Sequence, residues 1–395
     1  MSGATQEREG TAYGVWGDLV GQDEAVRTLR RAARGEDHAM SHAWLVVGPP
    51  GSGRSNAARA FAAALQCERP GGVEAGCGTC SGCRTALSGA HPDVTLVRTE
   101  QLSIGVDEVR DLVRRAAMSP TLRHKQVIVV EDADRVTERG ADALLKSVEE
   151  PAPGTVWVLC APTPDDVVVT IRSRCRLLSL ATPTTDAVAR LLVARDGVEP
   201  ALAAEAARAA QGHVGRARVL ARDETARQRR REILLVPFGL SSLSACLGAA
   251  ARLVEMCSAE ATAATEGVDA RERAALEEAL GFGTRGARPR QANAAVKELD
   301  EQQRARAKRF QRDAIDRALT ELTTFYRDLL SLQTRSGAAL VNEELAPRLA
   351  TLARRSTPES TLRRIDALLA CRTALEGNVA PLLALESTMI ALVEP

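Results

Sequence analysis

Hydrophobic residues in the first half of the chain come in short continuous runs separated by polar stretches. Val127–Val130 and Val156–Ala161 are such runs, and runs of this length are typical of parallel strands buried on both faces. Between them, Ala141–Pro151 has helical spacing and ends at the proline. This alternation of strands and helices predicts an α/β domain built around a parallel sheet.

The strand pattern stops after Thr182. Residues 184–222 carry three short helical patterns, and helical spacing continues from residue 233 to the end. In the last third, apolar residues recur at steps of three and four, which predicts the buried stripe of an amphipathic helix. The stripe consists of Ile315, Leu319, Leu322, Tyr326 and Leu329.

These changes of pattern predict three domains. The limits are 1–181 for an α/β nucleotide-binding-like domain, 182–230 for a small helical lid and 231–395 for a larger helical domain. The charged segment Arg222–Glu232 is interpreted either as a linker or as a solvated helix face. The segment Gly281–Gln291 is basic and rich in glycine, and we expect a loop there.

Composition and charge argue against several classes of protein. The chain has 395 residues and a net charge of +1, so no overall basic excess indicates nucleic-acid binding. Its apolar runs are shorter than the ~18 residues of a membrane span. The polar start, MSGATQEREG, does not resemble a signal peptide. We therefore expect a cytoplasmic protein with no membrane partner.

A glycine-rich turn follows the apolar run at Trp44–Val47 and leads into an alanine-rich helix. The pattern G-x-x-x-x-G-K-[ST] describes a phosphate-binding loop, in which backbone N–H groups and a helix N-terminus surround phosphate oxygens. The sequence GPPGSGRS fits this pattern except for one residue. Its members are Gly48, Pro49, Pro50, Gly51, Ser52, Gly53, Arg54 and Ser55.

The exception is Arg54, which stands in place of the lysine. An arginine keeps the charge, but its planar group is bulkier and prefers to bind in a bidentate manner. Ser55 would ligate magnesium. We expect a nucleotide-binding architecture that does not hydrolyse ATP. Whether ATP or ADP still binds stays open on the sequence alone.

The second half of a hydrolytic site also departs from the usual pattern. After the run Val127–Val130, a hydrolytic site is expected to carry an Asp that binds magnesium, followed by a Glu that positions water. The order here is Glu131 and then Asp132. Because small misplacements of catalytic groups are costly, this reversal favours an inactive site. Ala161 and Pro162 end the next run without a polar residue to sense a γ-phosphate, although Thr163 lies nearby.

Four of the nine cysteines are crowded into one short segment: Cys67, Cys77, Cys80 and Cys83. Four thiolates at this spacing suit a closed, tetrahedral and therefore structural zinc site within residues 67–83. Disulfides are rare in the cytoplasm, and a redox pair needs only two cysteines. We expect nearby His91 not to be a ligand, and the remaining cysteines to be buried as apolar fillers.

A last motif is TIRSRC, which spans Thr170–Cys175 at the edge of the nucleotide domain. An arginine in this position has two interpretations. Arg174 is either an ordinary surface residue in an ion pair, or it reaches the γ-phosphate held by a neighbouring subunit.

Taken together, these motifs resemble the clamp-loader branch of the AAA+ ATPases. The segment Asp18–Leu29 is similar to the N-terminal box of that family, and the P-loop, the cysteine insert, HPD, ALLKSVEEP and TIRSRC follow in family order. The segments LTTFYRDLL and NVAPLLALE are similar to the collar helices of bacterial clamp loaders. The resemblance implies an AAA+ domain with a zinc insert, a helical lid and an all-α collar.

The resemblance also implies a function. Clamp loaders are hetero-pentameric rings of motor subunits, a delta subunit and a stator, which belong to the DNA polymerase holoenzyme and load a sliding clamp onto primed DNA. Arg54, the Glu131-Asp132 order and Ala161-Pro162 depart from the motor pattern. They favour a stator without ATPase activity of its own, which offers Arg174 in trans to an adjacent motor subunit.

Two alternatives stay open. In the first, the chain is an active ATPase motor that tolerates Arg54. In the second, it is a zinc-stabilised module that binds nucleic acid on an inactive nucleotide-binding fold. Hydrolysis by the isolated chain would indicate the first, and salt-dependent DNA binding would indicate the second.

Overall fold

The computed structural model divides the chain into two compact units, residues 1–222 and 223–395. It describes residues 14–36, 38–69, 75–99, 103–122, 125–280 and 290–393, with the side chains of 290–292 left aside. The polar start of the chain and residues 281–289 of the expected basic loop therefore lie outside the described residues. The expected domain limits at residues 181 and 230 stay predictions.

The first unit contains a five-stranded parallel sheet in the order β2-β3-β4-β1-β5. The strands are β1 (Ala43–Val47), β2 (Val94–Val97), β3 (Gln126–Val130), β4 (Thr155–Ala161) and β5 (Arg176–Ser179). Every residue of β1, β3 and β4 is buried. The two apolar runs that predicted parallel strands are thus central strands covered on both faces, and the predicted α/β fold class is confirmed.

One helix precedes the first strand, and further helices lie between the strands. They are α1 (Asp23–Ala33), α2 (Arg54–Leu65), α3 (Ser81–Ser88), α4 (Val106–Ala116), α5 (Glu138–Glu149) and α6 (Val169–Arg172). Trp44 and Phe61 meet edge to face, with ring centroids 5.3 Å apart, on the face covered by α2. Trp157 lies in the cluster on the opposite face. Alanine-rich α2 packs close to the sheet, which brings the loop before it against the strand ends.

Three further helices complete the first unit: α7 (Thr185–Asp196), α8 (Pro200–Ala210) and α9 (Val214–Arg222). The Thr184 hydroxyl caps α7 by accepting from the Ala187 N–H. Gln211 and Gly212 adopt positive φ between α8 and α9. This turn carries the next residue, His213, back toward the sheet.

The described residues of the second unit form helices joined by loops, with no strand among them. Its α-helices are α10 (Glu224–Gly239), α11 (Leu243–Ala279), α12 (Arg290–Thr334), α13 (Ala346–Ala353), α14 (Pro358–Glu376) and α15 (Pro381–Ala391). The predicted stripe on α12 is confirmed, because each of its five residues is at most 3% exposed. Phe325, next to Tyr326, joins the same core.

The charged segment Arg222–Glu232 is helical rather than a linker, since α10 begins at Glu224. The helix is not wholly solvated. Arg230 is buried and pairs with buried Glu321 at 3.2 Å and with Glu344 at 2.8 Å. Removing one partner of such a pair leaves a buried charge uncompensated, so α10 is an integral part of the second unit.

The described portions of the chain contain no helix that is long and apolar enough to cross a membrane.

Candidate nucleotide and metal sites

The P-loop lies between β1 and α2, at the carboxyl edge of the sheet. Gly51 and Gly53 have φ of +85° and +95°, a region that favours glycine. The Ser52 N–H donates to the Pro49 carbonyl at 3.0 Å, and the Gly48 N–H donates to Pro162 O at 3.1 Å. The sequence therefore forms the turn that a phosphate-binding loop requires.

The loop is in contact with the helical part of its own unit. A Cβ atom on Gly51 would lie 2.3 Å from Cγ and 2.4 Å from Cα of His213. These distances are too short for a side chain, so the turn before α9 rests directly on the P-loop. On Gly53, by contrast, a Cβ would come no closer than 3.6 Å, to Leu19.

These two glycines form a matched pair for a stability measurement. Both Gly51→Ala and Gly53→Ala place alanine at positive φ, at a cost of about 1–2 kcal/mol. Gly51→Ala should cost about 1–3 kcal/mol more, because the methyl group overpacks against His213. Denaturant unfolding compares the two, and hydrogen exchange at His213–Gly215 should quicken only in Gly51→Ala. Equal effects would contradict the contact.

Arg54 is turned onto its own loop. Its Nη1 donates to the Gly48 carbonyl oxygen at 2.6 Å. Pro49 and Pro50 are exposed, whereas Arg54 and Ser55 are half-buried at the start of α2. The arginine that replaces the lysine thus stabilises the loop from inside.

Gln22 joins the P-loop to the end of the sheet. Its side-chain amide donates to Ser52 O at 3.2 Å and to Ala181 O at 2.6 Å, and its Oε1 accepts from the Ala181 N–H at 3.1 Å. Gln22 is buried. One residue of the segment Asp18–Leu29 therefore fixes the loop and the segment after β5 together.

Glu131 is engaged by an arginine on the P-loop helix. Arg59 Nε lies 2.7 Å from Glu131 Oε1, and the Glu131 side chain is only 6% exposed. The carboxylate at the metal-binding position of the pattern is therefore neutralised by the protein. Asp132 is half-buried and begins the 3-10 turn Ala133–Arg135.

The residues at the end of β4 are buried or bonded within the chain. Cys160 and Ala161 are fully buried, and burial, reinforced by the charge of Glu131, raises the pKa of the Cys160 thiol to about 12. The Thr163 hydroxyl and N–H both bond to Asp166, at 2.9 and 2.8 Å. Thr163 thus closes a local turn.

The four clustered cysteines come together at the end of α2 and the start of α3. Their sulfur atoms all lie within 4.8 Å of one another, and the four are free thiols. A tetrahedral site with Zn–S bonds of about 2.3 Å has sulfurs roughly 3.8 Å apart, so this donor set fits a metal ion after a small contraction. His91 lies outside the cluster, and its Nδ1 accepts from the Asp93 N–H.

The backbone around the cluster is arranged for thiolates. Burial opposes ionisation of Cys77, but hydrogen bonds from Thr79 and Cys80 outweigh it and lower the pKa of this thiol to about 6. Deeper burial raises the pKa of the Cys83 thiol. Metal binding, which requires thiolates, would remove the protons from both.

The cysteine loop also holds the start of the described chain. Trp16 Nε1 donates to Ala75 O at 2.9 Å, and the Val15 N–H donates to Gly76 O at 3.0 Å. A Cβ on Gly82 would lie 2.0 Å from Gln66 O, so α3 packs directly against the end of α2. The four-cysteine cluster therefore lies where three separate pieces of chain meet.

Arg174 lies at the surface after α6, with its side chain 36% exposed. Its Nη2 is 3.1 Å from Glu149 Oε1, and its Nη1 donates to Thr170 O at 2.8 Å. The ion pair of the first interpretation is therefore present. The exposed fraction leaves the second interpretation open.

Several contacts at these sites were not predicted from the sequence. They involve Gln22, Arg59, Glu149 and His213, whose partners are distant in the chain. For Gln22, the only local signal was its place in the N-terminal box. For His213, it was the glycine-flanked break between two helical patterns.

Comparisons with known proteins identify the family. A family model described as "DNA polymerase III, delta subunit" matches residues 21–184, and one described as "DNA polymerase III, delta subunit, C terminal" matches residues 294–394. Together the two models span well over half of the chain. The region between them is matched by neither.

Individual relatives agree with this result. The chain is 39% identical to the DNA polymerase III subunit delta' of Pseudomonas aeruginosa, over 38% of this chain and 46% of that protein. For the delta' subunit of Escherichia coli the identity is 37%, over 36% and 43%. The Bacillus subtilis tau subunit is 31% identical, over 43% and 30%.

The matched part spans less than half the length of each of these relatives. The first family model spans the P-loop and the cysteine cluster, and the second adds the helical end of the chain. With its parallel sheet, P-loop and cysteine insert, the chain therefore belongs to the delta-prime clamp-loader subunit family of DNA polymerase III.

Proposed function

We propose that the chain is a non-hydrolysing stator of a clamp loader. In this role it joins motor subunits and a delta subunit in a hetero-pentameric ring that loads a sliding clamp onto primed DNA. The motor subunits supply the ATP hydrolysis. The chain contributes a fixed surface and one arginine.

The observation that carries the proposal is the ion pair between Arg59 and Glu131. A hydrolytic site needs an unpaired acid at the end of β3 to hold magnesium, and here a guanidinium lies 2.7 Å from that acid. Arg54 is directed at the Gly48 carbonyl at 2.6 Å. The arginine at the phosphate-binding position and the acid at the metal-binding position are thus both paired with groups of the protein itself. ATP or ADP is not required for this arrangement.

Arg174 supports the other half of the proposal. It lies outside the nucleotide site of its own chain, on the surface, where a neighbouring subunit can reach it. A guanidinium stabilises the charge that develops on a transferring phosphoryl group. We propose that Arg174 completes the ATP site of an adjacent motor subunit.

The second unit is proposed as the collar that holds the ring together. Its apolar core is complete around α12, yet α14 and α15 still expose large apolar residues, among them Leu362, Leu369 and Leu383 at 47–61%. Apolar residues left outside a finished core are typical of interaction surfaces. The zinc site is proposed as purely structural, because four cysteines leave no coordination position open.

A second candidate function is the ATPase motor itself. The observation in its favour is the 31% identity to the tau subunit of Bacillus subtilis. The P-loop also keeps Ser55 and the glycines of a nucleotide-binding loop.

One comparison distinguishes the stator from the motor. The purified chain should not hydrolyse ATP, and Arg54→Lys should not restore hydrolysis, because Glu131 stays paired with Arg59. Added to motor and delta subunits, the same chain should increase DNA-stimulated ATP hydrolysis and clamp loading. Robust hydrolysis by the isolated chain, free of motor subunits, would favour the second candidate. Rings with equal activity in its absence would contradict the stator.

A further inference from the structure

Helix α5 ends at the acidic residue Glu149, and its C-cap residue, Glu150, is acidic as well. The carboxyl end of a helix carries a partial negative charge, so acids there are unfavourable. Local conflicts of this kind are most often found where a residue serves a function. An ion pair compensates the charge of only one of these two acids. Glu149 pairs with Arg174, whereas no ion pair of Glu150 is seen among the described residues.

The guanidinium of Arg174 is held at three points. Nη2 donates to Glu149 Oε1 at 3.1 Å, and Nη1 donates to Thr170 O at 2.8 Å and to Ser173 Oγ at 3.3 Å. Thr170 and Ser173 are close in sequence, but Glu149 is 25 residues away and on another element. Glu149 is therefore the contact that fixes the arginine relative to the body of the first unit.

The pairing leaves the arginine able to bind something else. A guanidinium has five N–H donors, and three of them are used in these contacts. Nε–H and one Nη2–H have no acceptor within the part of the chain that the structure describes. The arginine can thus donate to an external anion without giving up Glu149.

Two exposed apolar residues precede Arg174 closely in the chain. Val168 and Val169, immediately before and at the start of α6, are 37% and 63% exposed. Exposed apolar side chains around a fixed charge are typical of a surface that another protein covers.

From these contacts we propose that Glu149 is a positioning residue for Arg174. It holds the guanidinium so that the two remaining donors face the γ-phosphate bound by the adjacent subunit. This inference rests on the proposed trans role of Arg174. Glu149 itself does not touch the nucleotide and acts only through the arginine.

The test uses reconstituted clamp-loader rings carrying Glu149→Gln, which keeps the shape and removes the charge. DNA-stimulated kcat should fall about threefold to tenfold, because the arginine is misplaced rather than lost. KM for ATP should stay unchanged, since the motor subunit binds its own nucleotide. Glu149→Asp keeps the charge on a shorter arm and should recover part of the rate. Glu150→Gln is the matched control and should behave as the wild type.

The double variant Glu149→Gln/Arg174→Ala separates this inference from the function on which it rests. It should be no slower than Arg174→Ala alone. If Arg174→Ala rings work normally, the trans role itself is wrong. If Arg174→Ala is slow but Glu149→Gln is not, Glu149 has no positioning role. A further loss from Glu149→Gln in the Arg174→Ala background would show that it acts elsewhere, and would also overturn the inference.

Discussion

Replacing Cys83 by serine should remove the metal from the chain and lower the stability of the first unit by several kcal/mol. Structural zinc contributes about 10–16 kcal/mol of apparent binding free energy in small zinc domains, and part of it is lost with one ligand. Here the cluster joins α2, α3 and the segment at Trp16. We expect the thermal midpoint to fall by about 10 °C, which corresponds to roughly 3–5 kcal/mol for a unit of this size.

The wild-type chain should contain about one zinc per molecule by metal analysis, consistent with one four-cysteine cluster, and strong chelators should reproduce the loss of stability. Cys160→Ser is the matched control, because Cys160 and Cys83 are both fully buried thiols. That variant bears the cost of a buried hydroxyl but should keep its zinc. A metal-free wild-type chain with unchanged stability would refute the structural role.

Arg174→Ala should leave the chain folded and the ring assembled, but slow the ATP site of the neighbouring motor subunit. Arginines that contact a transferring phosphoryl group contribute about 10³–10⁵ in rate in well-studied NTPases. The bulk effect on the ring should be smaller, since only one of its ATP sites borders this subunit. Arg174→Lys should recover little, because an ammonium group lacks the planar fork.

Arg172→Ala is the control for this experiment. Arg172 ends α6, two positions before Arg174. Its side chain is 35% exposed against 36% for Arg174, and it also pairs with an acid, Asp165. Exposed ion pairs of this kind contribute little to stability, so neither change should affect folding. Clamp loading at saturating ATP is measured beside gel filtration of the rings. Normal loading by an assembled Arg174→Ala ring would reduce Arg174 to a surface residue.

The parts of this structure that the sequence predicted depend on local spacing. The run Val127–Val130 became β3, and the run Val156–Ala161 became most of β4. The stripe on α12 is buried as expected. The cysteines of the metal cluster also lie close in sequence. In each case the partners or the periodicity fall within one short window, where side-chain pattern and backbone geometry are directly linked.

The parts that could not be predicted depend on contacts between distant segments. Nothing in the P-loop helix shows that Arg59 will meet Glu131, 72 residues later. Nothing near Gly51 shows that His213 will rest on it. Thr163 was close enough in sequence to act as a γ-phosphate sensor, but its hydroxyl donates a local hydrogen bond to Asp166. Tertiary packing and short-range side-chain bonding decide these details, and neither has a signature in composition.

The order of the strands determines when the sheet can form during synthesis on the ribosome. The interior strand β1 is made early, yet its two neighbours are β4 and β5, which are made last. At about 5–20 residues per second, roughly ten seconds of translation separate them. The interval is longer for Gln22, which is made 159 residues before its partner Ala181. Throughout that interval the apolar strand Ala43–Val47 has no partner on either edge, so the nascent chain is a natural client for chaperones that shield unpaired strands.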